Sequence, residues 1–106
     1  MPINTAVFIS SNNTASPALA IQSDGYDPAV GIVIATPTTT SATVQYSGEV
    51  SLFTGLIAGE TYFLSDTMEG VITNVAPTAL GSIVQVIGYA KDATTLVVDI
   101  GDVIYL

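Results

Sequence analysis

The sequence predicts a small all-β domain, an antiparallel β-sandwich or barrel of about nine or ten short strands with little or no helix. Three observations carry this expectation. Val, Ile, Thr and Tyr are abundant, while the helix formers Glu, Lys, Arg and Gln are scarce. Apolar runs of strand length recur at regular intervals, separated by Gly, Pro, Asn, Asp and Ser. At 106 residues the length suits one domain, 1–106, and a hydrophobic content of 49% is enough to rule out a disordered chain.

Taken in order, "VFI" (7–9) predicts a first strand, followed by the polar loop "SSNNTAS". "ALAIQ" (18–22) reads as the next strand, closed by the turn "SDGYDP" (23–28). "AVGIVIA" (29–35) is continuously apolar, the pattern of a strand covered on both faces. After the loop "PTTTS", the strands "ATVQY" (42–46) and "EVSLF" (49–53) flank Gly48, which predicts a bulge or bend. "TGLIAGE" (54–60) then turns the chain into a hairpin. In its first strand Tyr62 and Leu64 share one face, with Thr61, Phe63 and Ser65 on the other. An aromatic on each face is more than a strand with one wet face needs.

Asp66 to Gly70 makes the tight polar turn of that hairpin, and a β-branched run leads on to Pro77. "APTALGS" (76–82) reads as one helical turn, with Pro77 at its start and Gly81 just past its end. Three strands follow, "IVQVIGYA" (83–90), "TTLVVDI" (94–100) and "DVIYL" (102–106), and Leu106 is expected to be docked. Residues 31–52 can be laid on 88–106: each has a glycine-containing apolar strand, a Thr-rich turn and a β-branched strand. Gly48-Glu49-Val50 then matches Gly101-Asp102-Val103, as two related β units or as shared composition.

Charge narrows the function classes. Charged residues make up only 9%, and nine acids face a single base, Lys91, for a net charge of −8. Such a chain repels nucleic-acid phosphates and anionic membrane surfaces, so neither is an expected partner. Few charges on an apolar chain predict that part of the surface is covered by partners. No apolar run approaches the ~18 residues of a membrane span. Ala18-Leu19-Ala20 has the look of a signal-cleavage site, but no basic residue precedes it and "SSNNTASP" interrupts the segment, so no signal peptide is expected.

The sequence offers little catalytic equipment. Without histidine or cysteine, nucleophilic catalysis through either is impossible, as are disulfides and thiolate metal sites. A serine could act only with Lys91, and no S-x-x-K spacing exists. Most acids sit in turns, where a carboxylate bonds nearby backbone N–H groups: Asp24, Asp27, Asp66, Glu69, Asp92 and Asp102. Glu49, Glu60 and Asp99 read as edge or solvent-facing positions. Asp24 and Asp27 offer oxygen ligands to calcium, although not at EF-hand spacing. Tyr26, Tyr46, Tyr62, Tyr89 and Tyr105 could line a carbohydrate groove, or serve strands and interfaces. No cofactor, no catalytic residue and no resident metal is expected, and the chain does not read as an enzyme.

"GLIAGETYFLSDTMEGVIT" (55–73) resembles a pattern of small structural proteins of tailed bacteriophages: Gly-Leu-x-x-Gly, a Tyr-aromatic-Leu-Ser strand, a turn, and a glycine before a second strand. "APTALGSIVQVIGYAKDATTLVVDI" and "DPAVGIVIA" with "ATVQYSGEV" are similar in kind. The likeness covers roughly residues 29–106, is most specific over 55–65, and points to capsid decoration (cement) proteins, with related hairpins in tail-fibre domains. It implies a virion protein on the outer capsid surface, a homotrimer that binds the major capsid protein and ties neighbouring subunits together. The alternative it leaves is a tail-fibre or spike module that binds a host receptor or glycan. Residues 1–20 fall outside the likeness and are expected as an extended N-terminal arm. Expected partner contacts are Val7, Phe8 and Ile9 in that arm and Tyr62 and Phe63 in the hairpin.

Overall fold

A computed structural model describes residues 3–10, 14–22, 26–38 and 41–106, with 37 and 38 described by backbone alone. Ten short strands form two antiparallel sheets stacked as a sandwich, and among the described residues there is no helix. The four-stranded sheet holds β1 (Ala6–Ile9), β2 (Ala15–Pro17), β3 (Gly31–Thr38) and β4 (Ser41–Gln45) in the order β2-β1-β3-β4. The six-stranded sheet holds β5 (Ser47–Val50), β6 (Thr61–Leu64), β7 (Ile72–Thr73), β8 (Ile83–Ala90), β9 (Leu96–Asp99) and β10 (Val103–Tyr105). Its order is β5-β9-β8-β6-β7, and β10 also pairs with β8. The molecule measures 36 × 36 × 19 Å. The short axis is what two layers ~10 Å apart, with outward side chains, occupy.

β4 and β5 are nearly one strand, interrupted at Tyr46, and each half belongs to a different sheet: β4 pairs with β3, β5 with β9. A strand that switches sheets makes a corner of a sandwich. Gly48 sits just past that corner at φ 88°, yet Ser47–Val50 keep an unbroken register with Asp99–Leu96. The glycine therefore marks a bend rather than a bulge. The register shifts lie elsewhere, in β3/β4 between Val33 and Thr38 and in β6/β8 between Tyr62 and Phe63, while β9 and β10 follow one another along β8. This also limits the internal echo. β3/β4 and β8/β9 are comparable antiparallel pairs, but β10 stays on β8 whereas β5 leaves β3 for the other sheet.

At the opposite seam, residues 18–22 differ from expectation. They are not a strand but a connector whose backbone bonds run to both sheets. Ala18 N–H donates to Ala6 O (2.9 Å) and Ala20 N–H to Ser65 O (2.8 Å), while Ala18 O accepts from Gly70 N–H (2.7 Å) and Ala20 O from Ile83 N–H (2.9 Å). Ala18 and Ala20 are fully buried, and only alanine-sized side chains fit a backbone so closely flanked. The strand lies instead at Ala15–Pro17, in the stretch expected as loop. Proline is tolerated there because β2 is an edge strand. The described part of 1–20, expected as an arm, therefore lies within the fold: β1 runs between β2 and β3, and Ala6, Val7 and Phe8 are buried.

One core fills the space between the sheets, built from Ala6, Phe8, Ile32, Val50, Phe53, Leu56, Tyr62, Leu64, Ile87, Leu96 and their neighbours. Each fully buried aliphatic side chain contributes about 1.5–3 kcal/mol, so this core outweighs every polar contact in the molecule. Among the described residues, Gln85 is the most deeply buried of four polar residues in the interior, with Ser65, Ser82 and Thr95. Its amide donates to Ala29 O and accepts from Ala29 N–H, both at 2.9 Å, and so replaces one rung of a ladder between the sheets. The helical turn expected at 76–82 is a tight turn instead: Ser82 N–H donates to Ala79 O at 3.1 Å. Four residues cannot offset the cost of helix nucleation without an apolar face to bury, and Leu80 is 94% exposed. Leu106 is docked through its backbone, which bonds Ser82 O and the Gln22 amide, while its side chain remains exposed.

Candidate functional site

The surface that stands out is the outer face of the six-stranded sheet. Register places Phe63 opposite Val86, Val84 opposite Ile104, and Tyr89 opposite both Thr61 and Val97. Residues paired in this way project from the same face. Their immediate neighbours Tyr62, Leu64, Ile83, Ile87, Leu96 and Val98 point into the core and are buried. The outer set is not: Tyr89 is 49% and Ile104 61% exposed, with Phe63, Val84, Val86 and Val97 half-buried. Asp99 and Glu49 lie toward the β5 edge, and exposed Asp102 stands just before β10, two residues from Ile104. Lys91 Nζ sits 3.1 Å from Glu49 Oε1, with both side chains more than half exposed, a contact worth about 0–1 kcal/mol.

A second feature is an open cleft of about 540 Å³ lined by Phe8, Ser10, Ser16, Pro17, Tyr26, Asp27 and Glu69. The hairpin turn builds its wall. Ser65 Oγ accepts from the N–H groups of Thr67 (3.2 Å) and Met68 (3.1 Å), which closes the turn. Gly70 then docks on the N-terminal hairpin, its N–H donating to Ala18 O and its carbonyl accepting from Ala6 N–H. At φ 73°, and with Thr5 Cγ2 only 2.5 Å from where a Cβ would sit, any side chain here is strained and displaces Thr5. Glu69 is thereby held beside Tyr26, whose hydroxyl donates to Glu69 Oε2 at 2.9 Å. This hydrogen bond, with partial desolvation and the carboxylate charge, raises the Tyr26 phenol above its ordinary value. It stays a donor at neutral pH.

Of the five expected contact residues, Val7, Phe8 and Tyr62 are 0%, 6% and 7% exposed, used up by the chain's own packing. Tyr62 also accepts a hydrogen bond on its hydroxyl from Ile57 N–H at 3.0 Å. Ile9, 45% exposed, and half-buried Phe63 remain available. The tyrosines make no single groove, since Tyr62 and Tyr89 lie on opposite faces of one sheet and Tyr46 is at the corner. Asp27 is exposed, but Asp24, its expected partner for calcium, lies outside the described residues. Among the described residues no group of three or more acidic ligands could hold a metal ion. Lys91 and Ser82 are not brought together: Lys91 bonds Glu49, and Ser82 Oγ donates to Asp66 Oδ2 at 2.9 Å.

Sequence reasoning named Phe63 together with Tyr62, without deciding which faces outward, and missed Val84, Val86, Val97 and Ile104. The signal was present, because "IVQVIGYA" and "LVVD" are apolar on both alternating sets. Glu69 and Tyr26 lie 43 residues apart, and no local pattern joins them. No protein-family model, curated protein or solved structure matches this chain.

Proposed function

We propose that this chain is a structural virion protein, a capsid decoration or cement protein that binds the outer surface of a tailed-phage head as a homotrimer. The observation that carries the reading is the uncovered apolar face of the six-stranded sheet, centred on Phe63, Val86, Tyr89 and Ile104. At a net charge of −8, copies of the chain repel one another wherever acids meet. Strands β6 and β8 at the middle of this face carry no charged residue, so it is where copies can meet at least cost. Ring closure also covers sheet edges, here β2, β4, β5, β7 and β10, that a small β domain otherwise leaves open.

The remaining surface contacts the major capsid protein. Binding to the assembled shell and not to loose subunits favours the shell by mass action, and requires no catalytic group. The residues most specific to the family likeness, 55–65, fit such a role. Leu56, Tyr62 and Leu64 fill the core, and Gly55 and Gly59 take positive φ in the loop between β5 and β6. Electron microscopy of intact particles, with the chain located in the density, tests the reading. The expected result is density over the head lattice at local symmetry axes. Density confined to the tail overturns it in favour of a receptor-binding module.

A further inference from the structure

We propose that the cleft between the N-terminal hairpin and the 66–70 turn is a receptor for a lysine or arginine side chain presented by a partner protein. In the capsid reading above, on which the partner's identity rests, that side chain belongs to the shell. The cleft has two kinds of wall. Buried Phe8, Pro17 and Tyr26 are apolar or aromatic, whereas Asp27 and Glu69 are exposed carboxylates, and Ser10 and Ser16 add hydroxyls. A lysine or arginine matches this division: an aliphatic stem for the apolar wall, and a cationic head for the carboxylates and an aromatic ring.

Charge complementarity selects the occupant. Against nine acids the chain has one basic side chain, Lys91, and Glu49 already holds it. Asp27 and Glu69 therefore have no cationic side chain of their own to meet. Glu69 is nonetheless not free to swing away. Tyr26 donates to one of its oxygens, and Gly70 pins the adjoining backbone through bonds to Ala18 and Ala6. A carboxylate fixed in place before binding loses less entropy on pairing than a mobile surface acid. A hard metal ion is a poorer match, since two carboxylates beside an aromatic wall supply few of the 6–8 oxygens that calcium takes. A neutral sugar would use the aromatic wall but leave both charges unanswered.

The test uses the full chain in solution, without any virion. Nα-acetyl-lysine methylamide and Nα-acetyl-arginine methylamide are titrated against isotope-labelled protein, with the norleucine analogue and N-acetylglucosamine as controls. The cationic probes are expected to shift Phe8, Tyr26 and Glu69 resonances selectively, and added salt to weaken the effect. Glu69→Gln, which can still accept from Tyr26, and Asp27→Asn should each weaken binding about two- to fivefold. Equal shifts with the norleucine analogue or with the sugar, or cation binding unchanged in both variants, overturn the proposal. Failure of the capsid reading looks different, because the probes would still bind while the chain is absent from the head. A chain that decorates heads yet ignores both probes leaves that reading standing and removes this one.

Discussion

The two sheets treat their outer faces differently. In the four-stranded sheet, successive residues of the central strands are buried together: Val7 with Phe8 on β1, and Ile32 with Val33 on β3. Val7 and Val33 lie outside the contiguous core cluster and are still fully covered by the chain itself. In the six-stranded sheet the central strand β8 buries Ile83, Gln85 and Ile87 but leaves Val84 and Val86 half-buried and Tyr89 half-exposed. Both sheets have sequences apolar on two sides, and only one receives its second cover from within. The difference teaches where the molecule is self-sufficient and where it is unfinished. An apolar face that its own chain leaves open costs free energy in water, and a second copy can remove that cost.

Placing a charge on each outer face separates these cases most sharply. Val33→Asp buries an unpaired carboxylate and should cost about 3–5 kcal/mol, a large share of the roughly 5–15 kcal/mol that holds a domain of this kind together. Ile104→Asp should change thermal or denaturant unfolding of the isolated chain by no more than about 0.5 kcal/mol. Equal destabilisation by the two would erase the distinction between the faces. Next in size is Gln85→Leu, which leaves Ala29 N–H and C=O unpaired in the interior and should cost about 1–3 kcal/mol. Faster hydrogen exchange at the Ala29 amide would locate the loss at the seam between sheets. Gly70→Ala, forced to positive φ against Thr5, should cost about 1–2 kcal/mol and loosen the cleft wall.

The smallest effect lies outside both sheet faces, in the β8–β9 turn, and serves as a control. Asp92 accepts hydrogen bonds from Thr94 and Thr95, chiefly the Thr94 backbone N–H, and these lower its carboxyl below the ordinary 3.8. A lowered native value means the stabilisation is complete above the unfolded value and vanishes as pH falls through the native one. Unfolding curves of wild type and Asp92→Ala should therefore differ at neutral pH and converge below the ordinary carboxylate range. A gap that persists at the acid end would show that the side chain acts by packing instead.

What was legible in the sequence follows the same division. β8 and β9 could be read because Ile83, Ile87, Leu96 and Val98 alternate with other residues over strand lengths. The turn at Asp66–Gly70 could be read because its residue types carry local backbone preferences. Three features could not. β2 hides in "ASP", since an edge strand can be polar and contain proline while its backbone still pairs with β1. "ALAIQ" has strand composition but serves as a connector, because its bonding groups are claimed by partners as distant in sequence as Gly70 and Ile83. The cleft depends on Tyr26 meeting Glu69, a long-range contact that follows from how the hairpin turn docks on β1 and the connector. The open face was legible in part: Phe63 showed a strand apolar on both sides, but not which side the chain would cover.

The most direct test of the central claim is sedimentation equilibrium of the wild-type chain and Ile104→Asp at matched micromolar concentrations. The open face as an association surface predicts a wild-type trimer and a variant that sediments as a folded monomer, its unfolding no longer dependent on protein concentration. A wild-type monomer, or an Ile104→Asp variant that remains trimeric, would contradict it.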